Sequence, residues 1–138
     1  MAKMLIAVDG SPHSRRAVEQ ALRLGQSPEM HLLNVQIPIQ SGHARMFVGR
    51  EDLQDYYREE GLAALQEARA ILDAAGVPYT HHIAVGHVAQ TIAAYAKEKG
   101  FDQIVLGSHG RGALTHLLLG SVASDVLRLA ELPVTLVK

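Results

Sequence analysis

The sequence predicts an α/β protein with an open, mainly parallel sheet and helices on both faces of that sheet. Short, continuously apolar runs such as Met4–Val8 are typical of strands that are buried on both faces of a parallel sheet. Segments with helical spacing of apolar residues separate these runs, as Ala17, Val18 and Ala21 do after the first one. Because parallel neighbours need crossover connections, which are usually helices, this alternation predicts helices on both sides. The 138 residues fit a single domain, residues 1–138.

The individual elements follow from the periodicity and from the residues that start and stop helices. Ser11 is the expected N-cap of the first helix and Pro12 its first residue, whereas Gly76 and Pro78 end the longest helix. Residues Gln36–Arg50 lack periodicity, so we expect a loop that is long for a compact domain. In chain order, the sequence predicts a strand at Met4–Val8, a helix from Pro12 to Gly25, a strand at His31–Val35, a helix at Glu51–Ala75, a strand at Tyr79–Val85, a helix at His87–Lys99, a strand at Gln103–Leu106, a helix at Ser121–Ala130 and a strand at Val134–Val137.

Composition excludes several classes of function. The chain has no cysteine, which excludes disulfides, thiolate metal sites, iron–sulfur clusters and thiol nucleophiles. A formal charge of −1 predicts no general attraction to nucleic acid or to an anionic membrane surface. The longest apolar runs are far shorter than the ~20 residues of a membrane helix, and no membrane partner is expected. The opening Met1-Ala2-Lys3 leads directly into a strand, so no signal peptide is expected and a cytoplasmic location is predicted.

A set of glycines after the fourth predicted strand indicates a ligand site. The run Gly107–Gly112 is followed by Gly120-Ser121 at the start of the last helix, which gives the pattern G-x-x-G-x9-G-S. Glycines let the backbone approach a ligand closely, and a helix N-terminus favours an anion, so the pattern suits a phosphate chain. Ser121 is expected to be both the N-cap and a hydroxyl donor to phosphate, and Arg111 to add positive charge.

Other interpretations of these residues remain open at this point. The pattern is neither a Walker A loop nor the dinucleotide G-x-G-x-x-G, and the glycines could simply shape a tight turn between strand and helix. Asp9 follows the first strand, so it lies at the same sheet edge as Gly107, where open α/β sheets bind ligands. A carboxylate there could bind ribose or adenine, or it could only cap the turn at Ser11.

Four segments together resemble the universal stress protein family, and the resemblance runs in order through essentially the whole chain. The glycine spacing is similar to that of the ATP-binding branch of the family. The segments are Ile6–Ser11, Leu32–Val35, Gly107–Gly112 continuing through Leu117–Val122, and Leu132–Val137.

The resemblance implies a Rossmann-like sheet of order 3-2-1-4-5, a homodimer and a bound ATP. By this likeness, Asp9 corresponds to the acidic residue at the adenosine end, and Val35 to the position whose backbone meets adenine. Two departures are Leu106, where Met is frequent, and Ala123, where a hydroxyl is frequent; the second could remove a phosphate hydrogen bond worth about 1 kcal/mol. The implied cofactor-binding residues are Ala7, Val8, Asp9 and Val35 around the base, Leu106, Gly107 and Gly110 at the loop, and Gly120, Ser121 and Val122 at the phosphates. The loop pattern itself adds Arg111 to this set.

No catalytic residue and no metal site of the protein's own is predicted. His81, His82 and His87 lie close in sequence, but neighbouring side chains of a strand face opposite ways, so solvated surface positions are expected. His109, inside the glycine loop, could contact phosphate, although a surface position is the simpler expectation. No nucleophile elbow or general base stands out.

The leading hypothesis is an ATP-binding regulator or sensor that acts as a homodimer. Mg²⁺ is expected to bridge the phosphates. The short last strand, Val134–Val137, is expected at a sheet edge, where a second copy could cover it. Two alternatives remain: a nucleotide-independent module that recognises an unknown protein partner through Gln36–Arg50, and a slow ATPase or adenylyl-transfer enzyme.

Overall fold

Strands and helices alternate along the chain in the computed structural model, which describes residues 2–24, 28–39, 49–110 and 118–138. The sequence-based assignment of strands and helices is confirmed in type and order. The elements are β1 (Lys3–Ala7), α1 (Pro12–Arg23), β2 (Glu29–Gln36), α2 (Arg50–Ala74), β3 (Tyr79–Val85), α3 (Val88–Glu98), β4 (Gln103–Gly107), α4 (Ser121–Leu129) and β5 (Val134–Val137). No helix among these residues is long and apolar enough to cross a membrane.

The five strands form one parallel sheet in the order β3-β2-β1-β4-β5. The centre of the sheet is β1, in which Ile6 is paired with Leu32 of β2 on one side and with Val105 of β4 on the other. The order of strands reverses between β1 and β4, because the chain adds β2 and β3 on one side and β4 and β5 on the other. The predicted fold class and strand order are therefore confirmed.

Helices cover both faces, because the side chains of each strand alternate between two apolar cores. One core joins residues such as Ile6 to α1 and α2, and the other joins residues such as Leu5 to α3 and α4. Both residues are completely buried, as the continuous apolar sequence of β1 predicts.

The helix boundaries follow local chemistry. Ser11 is the N-cap of α1, as predicted: its side chain accepts a hydrogen bond from the Ser14 N–H at 3.2 Å, and Pro12 is the first helical residue. The helix α2 ends before Gly76, whose φ of 69° is in the left-handed region that glycine adopts most easily. The predicted stop of α1, Gly25, lies outside the described residues.

The start of β2 differs from the prediction. The strand begins at Glu29, two residues before His31, because Glu29 pairs with Lys3 and its N–H donates to the Ala2 carbonyl at 2.7 Å. The predicted loop Gln36–Arg50 is shorter, since β2 includes Gln36 and α2 includes Arg50; residues 40–48 lie outside the described part.

Candidate functional site

A cavity of about 440 Å³ opens at the carboxyl edge of the sheet, and we call it the carboxyl-edge cavity. It is lined by residues at the ends of β1, β2 and β4 and by residues of α2 and α3. This volume lies within the range of roughly 300–1,000 Å³ that is usual for small-molecule pockets. The cavity includes the point at which the strand order reverses, where open α/β sheets bind their ligands.

Part of the cavity wall is apolar and rigid. The strand residues Ala7, Val35 and Leu106 contribute to it, and each also packs in the core beneath α3 and α4. From α3, Val88 and Ile92 extend the same surface. A wall of this composition suits a flat apolar group, because burying such a group stabilises it by about 25 cal/mol per Å² of apolar surface.

Polar side chains stand on the opposite side of the cavity, towards α1 and α2. Asn34 is 3% exposed and holds the ends of two strands together, because its Nδ2 donates to the Val8 carbonyl at 2.8 Å. Its Oδ1 accepts a hydrogen bond from Nε2 of Gln36 at 2.7 Å. Both residues line the cavity, so the polar side is fixed by hydrogen bonds within the protein.

Asp9 and the glycine loop, which is described from Gly107 to Gly110, meet across the cavity. The Oδ1 atom of Asp9 accepts a hydrogen bond from the Ser11 N–H at 2.9 Å, so the carboxylate does cap the turn before α1. A Cβ atom added to Gly110 would lie 2.7 Å from Asp9 Oδ2. Glycine at 110 therefore allows the loop backbone to approach the carboxylate at the strand-order reversal.

Gly107 is required for a different reason. A Cβ atom at this position would lie 2.7 Å from Cβ and 2.8 Å from the carbonyl carbon of His13 in the first turn of α1. A glycine here lets α1 pack closely on the end of β4. Gly107 also lines the cavity, so a side chain at this position would affect both the packing of α1 and the shape of the cavity.

The start of α4 corrects one prediction. Gly120, not Ser121, is the N-cap, because Gly120 has an extended backbone and its carbonyl accepts the Ser124 N–H at 3.0 Å. Ser121 is the first helical residue and is exposed. Gly120 packs on the glycine loop, where its N–H donates to the Ser108 carbonyl at 2.7 Å and an added Cβ would lie 3.1 Å from Cα of His109.

Two histidines stand close together at the glycine-loop end. The ring centroids of His13 and His109 are 5.1 Å apart, and His109 lines the cavity rather than an open surface. Burial, followed by the charges of Arg16 and His109, lowers the pKa of His13, while Asp9 opposes that shift. The Nδ1 atom of His109 lies 3.0 Å from the hydroxyl of Ser108, which is buried.

Most of the residues predicted for the site come together in space. Gly120 and Ser121 do not line the cavity, although Gly120 packs on its glycine loop, and Arg111 lies outside the described residues. Those that line the cavity are Ala7, Val8, Asp9, Val35, Leu106, Gly107, Gly110 and Val122.

The sequence patterns did not predict which helix residues line the cavity, and the simpler expectation from them placed His109 at the surface rather than in the cavity. Tyr56 and Glu60 of α2 line the cavity, but their helical periodicity indicates only that one face of α2 is buried. Asn34 had a signal, since it is a polar residue inside an apolar strand.

The surface assignment of the predicted histidine cluster is correct for His81, which is exposed, and wrong for His82, which is half-buried and lies 2.8 Å from a ring nitrogen of His31. Among the described residues, no group of three or more His, Cys, Asp or Glu side chains could hold a metal ion.

Comparison with known proteins agrees with this architecture. The sequence profile of the Universal stress protein family matches residues 1–138. Universal stress protein YxiE of Bacillus subtilis is 33% identical over 145 aligned residues, which cover 99% of this chain and 98% of the relative.

Two solved structures extend the likeness to three dimensions. The structure of MJ0577, a universal stress protein of Methanocaldococcus jannaschii, has a TM-score of 0.84 at 27% identity and covers 99% of this chain and 95% of its own. A universal stress protein crystallised in complex with cAMP has a TM-score of 0.74 at 26% identity, with 99% and 97% of the two chains covered. With the whole chain matched in sequence and in fold, the protein belongs to the universal stress protein family.

Proposed function

We propose that the carboxyl-edge cavity binds an adenine nucleotide, ATP in the first place, and that the protein acts as a nucleotide-dependent regulator or sensor. The observation that carries the proposal is the meeting of Asp9 and Gly110 in a cavity at the strand-order reversal. A relative of the same fold bound to cAMP supports an adenine nucleotide as the ligand class. The G-x-x-G-x9-G-S spacing supports a ligand with a phosphate chain.

The two sides of the cavity suit the two ends of such a ligand. The apolar surface around Val35 and Leu106 would pack against the base, with Ala7 and Val8 beside it. The carboxylate of Asp9 would accept hydrogen bonds from ribose hydroxyls or from the amino group of adenine.

The phosphates would lie along the glycine loop and the start of α4. There, Gly107 and Gly110 keep the loop backbone free of side chains, and Gly120, Ser121 and Val122 begin the helix. The first N–H groups of a helix have no partner inside the helix, and the helix dipole adds positive potential. Arg111 would add its charge from the same loop.

A magnesium ion fits this arrangement as a companion of the nucleotide. Mg²⁺ usually keeps several waters and binds through one or two carboxylates together with substrate phosphates. With Asp9 assigned to the adenosine end, Glu60 is the carboxylate of the cavity lining that would take that part. When bound, the ion would neutralise phosphate charge close to it.

Equilibrium titration of the purified protein with ATP and Mg²⁺ tests the proposal. We expect saturable binding of one nucleotide per chain, competed by other adenine nucleotides. Gly110→Val should weaken it, because its Cβ would lie 2.7 Å from Asp9 Oδ2 and would displace that carboxylate. Gly49→Ser should bind normally, because an added Cβ there would lie 3.7 Å from its nearest neighbour. Absence of binding up to millimolar ATP by the folded wild-type protein would contradict the proposal.

The regulator is proposed to be a homodimer formed through β5. This strand ends the described sheet, and its four residues are all partly exposed. The carbonyls of Pro133 and Val137 accept hydrogen bonds from Ile104 and Ser108 on the β4 side. Because backbone groups alternate along a strand, the N–H groups of Val134 and Leu136 point away from β4, towards the free edge.

A backbone substitution tests the dimer without altering the cavity. Val134→Pro removes an outward N–H at the first strand position, where proline is tolerated, and Val134→Ala keeps it. Sedimentation velocity should give a dimer for the wild type and for Val134→Ala, and a monomer for a folded Val134→Pro. A monomeric wild type at high micromolar concentration would rule out this assembly.

A further inference from the structure

A second group of titratable side chains lies at the opposite, amino end of the sheet. Nε2 of His31 is 2.6 Å from a carboxylate oxygen of Glu29, and Nδ1 of His31 is 2.8 Å from Nε2 of His82 on the neighbouring strand. We call His31 and His82 the histidine pair. The rings are nearly parallel, at 5°, and the His31 side chain is only 13% exposed. The distance between the two ring nitrogens is that of a good hydrogen bond.

The chemistry of the three groups limits the number of protons they can share. An ionised carboxylate only accepts hydrogen bonds, so Nε2 of His31 carries a proton directed at Glu29. The hydrogen bond between the rings then needs one proton between Nδ1 of His31 and Nε2 of His82. The pair keeps this bond with both rings neutral or with one of them charged. If both rings are charged, two N–H groups face each other and the bond is lost.

The histidine pair connects strands to the carboxyl end of α3. Phe101, just beyond α3, packs its ring edge-to-face on His31, with the centroids 4.9 Å apart. Tyr95 of α3 lies 5.3 Å from the ring of His82. From β1, Nζ of Lys3 lies 4.6 Å above the Phe101 ring and donates to the Lys99 carbonyl at 2.8 Å.

The charged groups around the pair oppose a second positive charge. Lys3 of β1, His81 of β3 and Lys99 after α3 supply positive charge near His82. Negative charge comes from Glu29 of β2, through His31, and from Asp102, whose carboxylate accepts the Lys3 N–H at 2.7 Å. Burial is the largest cause that lowers the pKa of His82 below its ordinary value of 6.5, and the charges of His31, His81, Lys3 and Lys99 lower it further. Tyr95 is neutral in the relevant range, since burial raises its pKa.

We propose that the histidine pair is an acid-sensitive switch: protonation of both rings breaks their hydrogen bond and loosens the edge strand β3 and the end of α3 from β2. The direction in which stability changes with pH follows from thermodynamic linkage. The folded state binds fewer protons than the unfolded chain, so the contribution of the pair to stability is complete above pH 6.5 and is lost as the pH falls below it. The switch does not depend on nucleotide binding at the other end of the sheet.

Urea unfolding of the full chain across this pH range tests the switch. In His82→Gln, a side-chain amide replaces the ring N–H as a donor to His31, and the amide does not titrate. The matched control is His87→Gln, at an exposed position before α3 whose charge is not among those that lower the pKa of His82. For the wild type and the control, the unfolding constant should rise by up to about tenfold per pH unit below the ordinary histidine pKa, as one additional proton requires. His82→Gln should have a smaller slope than both, and the remainder comes from groups such as His13, whose pKa is also lowered by burial. An equal slope in all three proteins would overturn the proposal.

A measurement on the unaltered protein keeps the test decisive if His82→Gln fails to fold. Histidine ring resonances and backbone amide exchange can be followed together in one acid titration. The ring of His82 should titrate at lower pH than a free histidine, and exchange of β3 and of Tyr95–Phe101 should accelerate over the same interval. Titration of His82 at the ordinary pH with unchanged amide exchange would equally reject the switch.

Discussion

The two ends of β2 differ in how the space around them is filled. At the amino end, His31 contacts Glu29, His82 and Phe101. At the carboxyl end, Asn34 and Val35 line a cavity. Both ends carry histidines and carboxylates. The amino end is filled by the rings of Phe101 and Tyr95, whose centroids are 6.1 Å apart. At the carboxyl end, Gly107 and Gly110 add no side chains to the lining, and about 440 Å³ of space lies between an apolar wall and the polar side chains of Asp9 and Asn34.

Under the proposed function, the amino end of the sheet contributes to stability and the carboxyl end to ligand binding. At the amino end, Phe101 packs on His31, and His31 forms its hydrogen bond with His82, another side chain of the protein. Gly110 at the carboxyl end instead brings a backbone next to Asp9 without adding a side chain, and Asn34 fixes the strand ends around the space. Substitutions at the amino end should therefore change the free energy of unfolding, and substitutions around the cavity should change ligand affinity.

The largest expected effect is at the amino end. Phe101 is 7% exposed, and Phe101→Ala should lower the free energy of unfolding by about 3–4 kcal/mol, because it removes a buried ring from between His31 and Tyr95. Urea unfolding measures the loss. The affinity of the folded fraction for ATP should stay within about twofold of wild type, since Phe101 precedes β4 at the amino end of the sheet and does not line the cavity. A large loss of affinity in folded protein would show that the two ends are coupled.

An intermediate effect is expected where packing and cavity meet. Gly107→Ser should lower the free energy of unfolding by about 2 kcal/mol, because its Cβ would collide with the backbone of His13 and α1 would have to move. The matched control is Gly49→Ser, in which the new side chain enters open space at an N-cap and should be neutral or slightly stabilising. Equal stabilities of the two variants in urea unfolding would show that α1 does not constrain Gly107.

The smallest effect is expected at Asp9 and concerns affinity alone. Asp9→Asn keeps an oxygen that accepts the Ser11 N–H, so the free energy of unfolding should change little. Loss of the charge should weaken ATP binding by about tenfold, or ~1.4 kcal/mol, if the carboxylate binds the adenosine end. Calorimetric titration measures the change, and an unaltered affinity would leave Asp9 only its role in the turn.

Sequence patterns predicted the elements because short strand-like runs such as Met4–Val8 alternate with segments of helical periodicity, and because Ser11 and Gly76 give clear helix signals. The strand order came from family resemblance, since periodicity says nothing about which strands pair. The histidine pair could not be predicted, because it depends on a register that pairs His31 with Thr80 and Leu33 with His82, so that the two histidines are diagonal neighbours on one face of the sheet. The contribution of α2 to the cavity depends likewise on how that helix packs on the sheet.

Backbone amide shifts on addition of ATP and Mg²⁺ test most directly that the two ends of the sheet have different functions. The amides of Val35, Gly107 and Gly110 should move in a saturable way, because they border the cavity. The amide resonances of His31, His82 and Phe101 should not shift on addition of ATP and Mg²⁺ at neutral pH. Shifts confined to the amino end, or no saturable shift at all, would contradict the account.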